Sequence, residues 1–396
     1  MGLFDRLFGR APKPHGDPVG SFQLLTGYEP TWTTRGGSIY ESQMIRAAIN
    51  AAATHISKLR PVITGTAKPS LRTKLEHGPN EWEGSWSKFL YKTATILYVY
   101  NHAVILPVFD DYGEISGIYT VAPERCEVVE YGPKKVPYLR YRFASGKTGA
   151  IEMDSCGILT RYQFTQDLFG ESNKALIPTM QLISIANQGI RESIKNSNSY
   201  RFMARISNWS KDSDLANERR RFSRENFGED AQANGVLLFP NQYSDIRQLE
   251  NKPYTVDAEQ MEVIRQGISD YFGISTDIIQ NKATPDEYAA FYEGICEPFA
   301  IMFSETVSRM LYTYNERTRG AGIMLTSNRL QYMSNTDKLA VSTQLIDRGI
   351  MSRNDAREIW NLPPVEGGDD LVIRGEYYNA SEQINNDNGG NNEQNN

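Results

Sequence analysis

The sequence is poor in the residues that usually mark a disulfide framework or a metal centre. It holds three cysteines and four histidines among 396 residues. The cysteines, Cys126, Cys156 and Cys296, lie far apart along the chain, which favours a reducing cytoplasm over a paired framework. The histidines share no metal-ligand spacing with one another or with the cysteines. We therefore predict neither a disulfide scaffold nor a histidine–cysteine metal site.

Long apolar runs and a net positive charge are also absent. The apolar segments fall far short of the roughly 20 residues that a membrane span requires. Residues 1–10 are too short and too charged for the core of a signal peptide, so we expect a soluble chain that is neither exported nor bound to a membrane. Lys plus Arg total 42 against 48 for Asp plus Glu, a net charge of −6. That balance argues against a protein that grips nucleic acid over most of its surface, but it leaves open one past which DNA slides.

The composition that is present is of ordinary globular type, with 40% hydrophobic and 23% charged residues. The length predicts two or three packed units. Residues 1–38, which hold several prolines and glycines, predict an extended arm. From Glu41 to Arg60 apolar residues recur at helical spacing, and Pro61 ends the pattern. These residues are Ile45, Ala48, Ile49, Ala52, Ile56 and Leu59.

Strand-like segments follow a second helix predicted at residues 85–98. Five short runs rich in β-branched and aromatic residues are separated by clusters of turn residues. The runs are 103–109, 117–121, 126–131, 138–144 and 150–153. We therefore predict an α+β fold with an antiparallel sheet in this part of the chain.

Two later helices, predicted at 175–203 and 258–272, each carry a narrow apolar stripe. The first would be about 40 Å long at 1.5 Å per residue. Its stripe consists of Leu182, Ile185, Ala186, Ile190 and Ile194. A stripe this narrow suits a helix that packs against few neighbours, as in a bundle or a ring of subunits. Gly273 is well placed to end the second helix, and residues 205–256 between the two helices predict a compact insertion with a hairpin at 235–249.

The remaining sequence predicts further helices and a polar tail. A long helix is expected at 287–314, with a kink at Pro298 because that nitrogen cannot donate a hydrogen bond. A helix pair follows, in which Gly349 ends the first helix and Ser352 caps the second. Residues 374–396 are rich in Asn and too polar to bury a core, so we expect them to be disordered.

Two motifs that suggest chemistry have simpler explanations. Gly146-Lys147-Thr148 resembles part of a phosphate-binding loop, but the glycine required five positions earlier is replaced by Tyr141. A hairpin turn is the better interpretation, so we reject ATP binding there. Glu366, Asp369 and Asp370 have the ligand type for a metal, but a solvated loop is favoured. We predict no catalytic residue and no cofactor.

An arginine cluster and a polar loop are candidate binding elements. Arg219, Arg220, Arg221 and Arg224 share a short predicted helix, which is most simply a solvated helix face. The alternative is a docking surface for an acidic protein or for DNA phosphates, because guanidinium groups form bidentate contacts with both. The loop at 281–286 is an ordinary surface loop unless symmetry brings many copies to one axis.

Several short segments follow one another in a recognisable order. They are Gly2–Gly9, Ile56–Val62, Leu75–Asn80 with its Pro-Asn turn, Tyr100–Ala103, Asp167–Leu176 with Gly170, Gly235–Pro240, Tyr271–Ser275 and Met351–Arg357. Their collinear order from Gly2 to Asp369 resembles that of the HK97-like portal proteins of tailed bacteriophages. One departure is Tyr100-Asn101-His102, where relatives commonly carry glycine before the asparagine.

The resemblance implies a portal fold built from an α/β wing, a two-helix stem, a small α/β clip, a kinked long wing helix and a helical crown. A tunnel loop would face the central channel. The corresponding residues are 1–38 for an N-terminal arm, 39–174 for the first part of the wing, 175–203 for stem helix 1, 204–256 for the clip, 257–273 for stem helix 2, 274–286 for the tunnel loop, 287–330 for the long wing helix and a following strand, 331–373 for the crown, and 374–396 for the tail.

The same resemblance implies a function. Twelve subunits would form a ring at one capsid vertex of the virion, after assembly in the host cytoplasm, and double-stranded DNA would pass through it. The ring would dock the terminase ATPase, a head–tail adaptor and the major capsid protein. Tunnel-loop residues would face DNA, namely Asp277, Gln280, Asn281, Lys282 and Asp286, whereas Arg219, Arg220, Arg221 and Arg224 in the clip would bind partners. Acidic neighbours would offset the attraction of Lys282 for phosphate and keep the DNA contact weak and non-specific.

Two other functions remain open at this point. A metal-dependent nucleic-acid-processing enzyme would require clustered acids at strand ends, which the sequence does not offer. Another ring-forming tail connector is closer in kind, although such proteins are usually much shorter.

Overall fold

A computed structural model of the chain describes residues 22–24, 39–131, 133–142, 146, 148–197, 201–206, 216–217, 220–221, 224, 243–249, 258–326, 335–360 and 362–372. The chain divides into two compact units. The larger unit comprises Met1–Ile177 and Arg265–Asn396, and the smaller unit comprises Pro178–Ile264. The predicted α+β class with antiparallel sheets is confirmed.

Runs of strands and runs of helices follow one another along the chain. The described strands are β1 (Phe22–Leu24), β2 (Arg60–Thr64), β3 (His102–Phe109), β4 (Ile115–Val121), β5 (Cys126–Tyr131), β6 (Val136–Arg142), β7 (Thr148–Glu152), β8 (Gly157–Thr160), β9 (Arg201–Ile206), β10 (Tyr243–Leu249) and β11 (Gly322–Thr326). The described α-helices are α1 (Gln43–Ile56), α2 (Pro69–His77), α3 (Trp86–Tyr100), α4 (Ile177–Ser197), α5 (Ala258–Phe272), α6 (Thr276–Ile279), α7 (Pro285–Phe291), α8 (Glu297–Leu311), α9 (Tyr314–Thr318), α10 (Asn335–Asp347) and α11 (Arg353–Ile359).

Two antiparallel sheets form the core of the larger unit, in the orders β4-β3-β8 and β1-β5-β6-β7. The central strand β3 is buried from His102 to Val108. On one face its Val104 and Leu106 pack with Val128 and Leu139 of the second sheet. Helices α3 and α8 cover the other face. Because both faces are covered, β3 is a continuous apolar run rather than an alternating one.

Helix α1 confirms the first predicted helix, although it is shorter than predicted. It ends at Ile56, because β2 already begins at Arg60 and pairs with β11. All six predicted stripe residues are at most 2% exposed. They pack mainly against α3, so α1 belongs to the core of the larger unit.

The β2–β11 ribbon has one edge closed by α8. The backbone N–H groups of Ile323 and Leu325 donate to the hydroxyls of Ser308 and Ser304, at 2.9 Å each. These N–H groups point away from β2, so the serines occupy the edge where another strand would otherwise pair. Gly322 faces the same serine closely, since a Cβ there would lie 3.1 Å from Ser308 Oγ.

The predicted helix at 175–203 is too long. Helix α4 ends at Ser197, and Arg201–Ile206 forms strand β9, which pairs antiparallel with β10. This long-range pairing overrides a local sequence with no helix-breaking residue. The other half of the predicted hairpin, residues 235–239, lies outside the described residues.

The long helix predicted at 287–314 begins earlier and is interrupted. Helix α7 begins at Pro285 and continues through a π-helical turn, Tyr292–Cys296, into α8. Pro298 occupies the first turn of α8, directly after the π-turn. Proline removes one intrahelical donor, and a π-turn is a common way of absorbing such a defect, so the irregularity lies just before the proline.

The C-terminal helix pair, α10 and α11, is as predicted. Gly349 follows α10 with φ +68°. Ser352 Oγ accepts a hydrogen bond from Asp355 N at 3.1 Å, and the Asp355 carboxylate accepts one from Ser352 N at 2.9 Å. Asn354 forms hydrogen bonds with Val365 and Asp369, which lie in the segment after α11. Within the predicted arm the structure describes only β1, and the predicted tail at 374–396 lies outside the described residues.

Candidate functional site

The segment predicted as the tunnel loop begins at the C-terminus of α5. Gly273 adopts φ +70°, and Ile274 N donates to Ser269 O at 3.0 Å. This arrangement is a glycine-terminated helix end, as predicted. Ile274 is buried, so the chain turns back onto the larger unit directly after the helix.

The segment 274–286 is not a simple loop, because it contains helix α6. Ser275 caps α6 by accepting a hydrogen bond from Ile278 N at 3.4 Å. Lys282 N donates to Asp277 O at 2.8 Å, and Asn281 adopts φ +56°, which asparagine tolerates better than most residues. The predicted DNA-facing residues are all exposed: Asp277, Gln280, Asn281, Lys282 and Asp286.

The end of this segment is fixed by a capping box that sequence reasoning missed. Thr284 caps α7, and the Glu287 carboxylate accepts hydrogen bonds from Thr284 N at 2.7 Å and from Thr284 Oγ1 at 2.9 Å. These bonds hold the pKa of Glu287 below its usual range. The signal was present, because Thr-Pro-Asp-Glu places a cap residue, a proline and a glutamate at the expected spacing.

The arginine cluster is partly described. Arg220, Arg221 and Arg224 are helical and exposed. Arg219 lies outside the described residues. The cluster therefore offers at least three guanidinium groups to solvent, as a binding surface for an anionic partner requires.

Helix α4 leaves most of its apolar stripe exposed. Leu182 is 53% exposed, Ile185 67%, Ile190 39% and Ile194 65%, whereas Ala186 is 6% exposed. Large apolar residues this exposed on a single helix indicate a surface that another partner covers.

The acidic residues near the C-terminus form no metal site in the part of the chain that the structure describes. Asp369 accepts a hydrogen bond from Asn354 at 2.8 Å, and Glu366 and Asp370 are exposed. No group of three or more His, Cys, Asp or Glu residues among the described ones lies close enough together to hold a metal ion. None of the described helices has the length and apolarity needed to cross a bilayer.

One other sequence interpretation can be compared with the structure. Gly146 lies between β6 and β7 with φ +82°, and these strands pair, so the predicted hairpin turn is confirmed. His55, on α1, is 9% exposed.

A family model described as "Phage portal protein" matches residues 43–361 of the chain. The match covers well over half of the sequence. The chain belongs to the phage portal protein family. The predicted family is thereby confirmed, and it is a family of structural proteins.

Solved structures show the same fold at low sequence identity. The neck of an empty gene transfer agent (GTA) particle, computed with C6 symmetry, matches with a TM-score of 0.58 at 13% identity, covering 88% of this chain and 97% of that chain. The neck of a native GTA particle, computed with C12 symmetry, gives 0.54 at 14% identity, covering 83% and 92%. The virion of a native GTA particle gives 0.50 at 16% identity, covering 84% and 97%. Among curated proteins there is no significant match.

Proposed function

We propose that this portal-family chain is one subunit of a ring of twelve at a capsid vertex, through which double-stranded DNA is packaged and later ejected. The ring would be structural, without catalysis or cofactor, and a separate terminase would supply the energy for translocation. Support for the ring number comes from the similar fold in a GTA neck computed with C12 symmetry. The wing (39–174 and 287–330), stem, clip and crown keep the boundaries given above, except that stem helix 1 ends at Ser197.

The observation that carries this proposal is the exposed stripe of α4. Four large apolar residues in one helix are in contact with water in the isolated chain. A second copy of the same chain is the occupant that the proposal assigns, because a closed ring presents the same pair of surfaces at every interface. Covering apolar surface contributes about 25 cal/mol per Å², so four such side chains give each interface a useful driving force.

The ring can be tested by introducing charge into the stripe. Leu182→Asp with Ile185→Asp should give a folded chain that no longer assembles, because each interface would bury uncompensated carboxylates. Ser184→Asp with Gln188→Asp is the matched control, since both residues are exposed polar positions of the same helix. Negative-stain imaging and solution mass measure the outcome. Rings formed by the stripe variant, or a wild-type chain that stays monomeric, would refute the proposal.

We further propose that residues 274–286, called the α5–α7 segment from here on, guide DNA without holding it. One Lys282 per subunit would place on the order of ten cations around the channel, enough for strong salt-dependent binding. Asp277 and Asp286 are exposed on the same segment and would offset that attraction. Asp277→Lys with Asp286→Lys should slow packaging in a reconstituted assay, whereas Asp111→Lys with Glu114→Lys, in an exposed hairpin of the larger unit, should not. Equal packaging velocity in both variants would contradict the guide.

The arginine cluster of Arg219, Arg220, Arg221 and Arg224 is proposed to dock the terminase during packaging and the head–tail adaptor afterwards. Support comes from the exposure of the three described members. Reversing these charges should abolish capture of either partner while rings persist, whereas reversing the exposed Arg317 and Arg319 should not. Unchanged capture would assign the cluster to an ordinary solvated face. The ring would also contact the major capsid protein, in the host cytoplasm during assembly and in the virion thereafter.

A further inference from the structure

We propose that two partly buried hydrogen bonds, donated by Tyr271 and Tyr288 to buried acceptors, fix both ends of the α5–α7 segment to the larger unit. Tyr271 lies at the end of α5, and Tyr288 lies in α7, so the two tyrosines flank residues 273–284. The role of the two tyrosines in directing the segment towards a channel rests on the proposed function. The two hydrogen bonds, and the position that they give the segment, are properties of the single chain.

The first anchor lies at the end of α5. Tyr271 donates its hydroxyl to Asn173 Oδ1 at 2.5 Å. Asn173 is buried, and its amide nitrogen donates to Val99 O at 2.7 Å. Asn101 donates to the same Asn173 oxygen at 2.7 Å and to Glu171 O at 2.8 Å. Because Asn173 is held from both sides, its oxygen is a fixed acceptor for the tyrosine.

A second contact reinforces this end of the segment. Tyr162 donates its hydroxyl to Tyr271 O at 2.5 Å, and the two rings lie 5.3 Å apart. Tyr162 itself has φ +50°, an unfavourable conformation for a bulky residue. Close packing keeps its neighbours in place, because a Cβ on Gly170 would lie 2.0 Å from Arg161 O and 2.2 Å from Asn101 O.

The second anchor lies in α7. The Tyr288 hydroxyl is hydrogen-bonded to His55 Nδ1, and Lys58 Nζ lies 3.2 Å from the same nitrogen. Since lysine can only donate, Nδ1 is an acceptor, and the neutral ring carries its proton on Nε2. Burial, with a smaller contribution from the charge of Lys58, lowers the pKa of His55 to about 4, so the acceptor persists at neutral pH. The ring also packs edge-on against Tyr288 and Phe291, at 5.0 and 5.3 Å.

Both acceptors belong to the buried framework of the larger unit. His55 is on α1, and Asn173 begins the 3-10 turn Asn173–Leu176 that leads into α4. The segment between the two tyrosines adds hydrogen bonds of its own, such as Lys282 N to Asp277 O. Tyr271 and Tyr288 therefore act as positioning residues, and the segment moves with the framework instead of swinging on its two ends.

The anchors can be tested in the full-length chain with a label on the segment. The three native cysteines are buried, so Lys282→Cys offers an exposed thiol for a spin label. Tyr271→Phe and Tyr288→Phe each remove one net hydrogen bond, which should raise label mobility and raise amide exchange in 274–284 roughly two- to tenfold, with a larger rise in the double variant. Tyr314→Phe, at an exposed position, is the matched control. His55→Gln restores an acceptor and should behave as the wild type, whereas His55→Leu should behave as Tyr288→Phe.

The outcomes separate positioning from general stability. A rise in exchange confined to 274–284 supports the proposal. An unchanged segment in the double variant overturns it, and so does an equal rise in α1 and α3, which would show that the tyrosines support the whole unit. None of these readouts requires a ring, so a chain that has both anchors and never assembles would keep this inference and refute the proposed function.

Discussion

Helices α1 and α4 carry the same kind of apolar pattern, yet the chain buries the stripe of only one of them. In α1 every stripe residue is buried by other parts of the larger unit. In α4 the equivalent residues are largely exposed, apart from Ala186. Periodicity therefore identifies the face of a helix that will be buried, but it does not say whether the same chain or another one buries it. A helix whose stripe stays exposed is a place to look for assembly.

The largest expected effect comes from a substitution in α1, the helix whose stripe is buried. Ile49→Ala in α1 should lower the free energy of unfolding by about 2–5 kcal/mol, because it removes buried carbon atoms and leaves a cavity. Ile185→Ala in α4 should change it by no more than about 0.5 kcal/mol in the dissociated chain, because that side chain is already exposed. Urea denaturation under dissociating conditions measures both values. Equal losses would mean that α4 is as much a core helix as α1.

A smaller expected effect is a dependence of the larger unit's stability on pH, through two buried histidines. Burial lowers the pKa of both His55 and His102 to about 4. In the unfolded chain each residue would take up a proton near its usual pKa of 6.5, so the stabilisation is complete above that pH and is lost as the pH falls from 6.5 to 4. Helix α4 contains no histidine. The urea concentration at the unfolding midpoint of the larger unit should therefore decrease as the pH is lowered from 7 to 4.5.

The source of that pH dependence can be isolated by replacing both histidines. The double variant His55→Gln with His102→Gln should show a flatter dependence in the same window, because neither amide titrates. A midpoint that falls as steeply in the variant as in the wild type would assign the effect to other groups.

The smallest expected effect concerns α11, whose surroundings include both buried and exposed apolar residues. In α11, Ala356 and Ile359 are buried, whereas the flanking Ile350 and Leu362 are exposed. Ser352→Ala should destabilise this helix by about 1 kcal/mol, because it removes the side-chain cap. Local amide exchange measures the change. Ser85→Ala is the control, since Ser85 precedes α3 without a capping hydrogen bond, and an equal effect there would discount the cap.

Local patterns were enough to predict some elements of the fold and not others. Helix α5 was predicted at its observed ends, because an apolar stripe and Gly273 lie next to each other in the sequence. Strand β8 was missed, since it has four residues and exists through pairing with β3. The end of α4 was misplaced for the same reason, because the partner of β9 lies about forty residues further along the chain.

The candidate site shows the same limit. Which residues of 274–286 are exposed could be anticipated, because polar residues follow a helix end. The anchors could not, because Tyr271 meets Asn173 across 98 positions and Tyr288 meets His55 across 233. No periodicity or spacing connects residues so distant, and only the packing of α1, α5 and α7 brings them together.

The two serines of α8 have a consequence for a chain that accumulates in many identical copies. Exposed strand edges recruit one another, and the risk grows with local concentration. Ser304 and Ser308 occupy the N–H groups on the outer side of β11, so an incoming strand finds no donors there. The ribbon can thus lie beside a duplicate of itself without seeding open-ended fibre growth along that side.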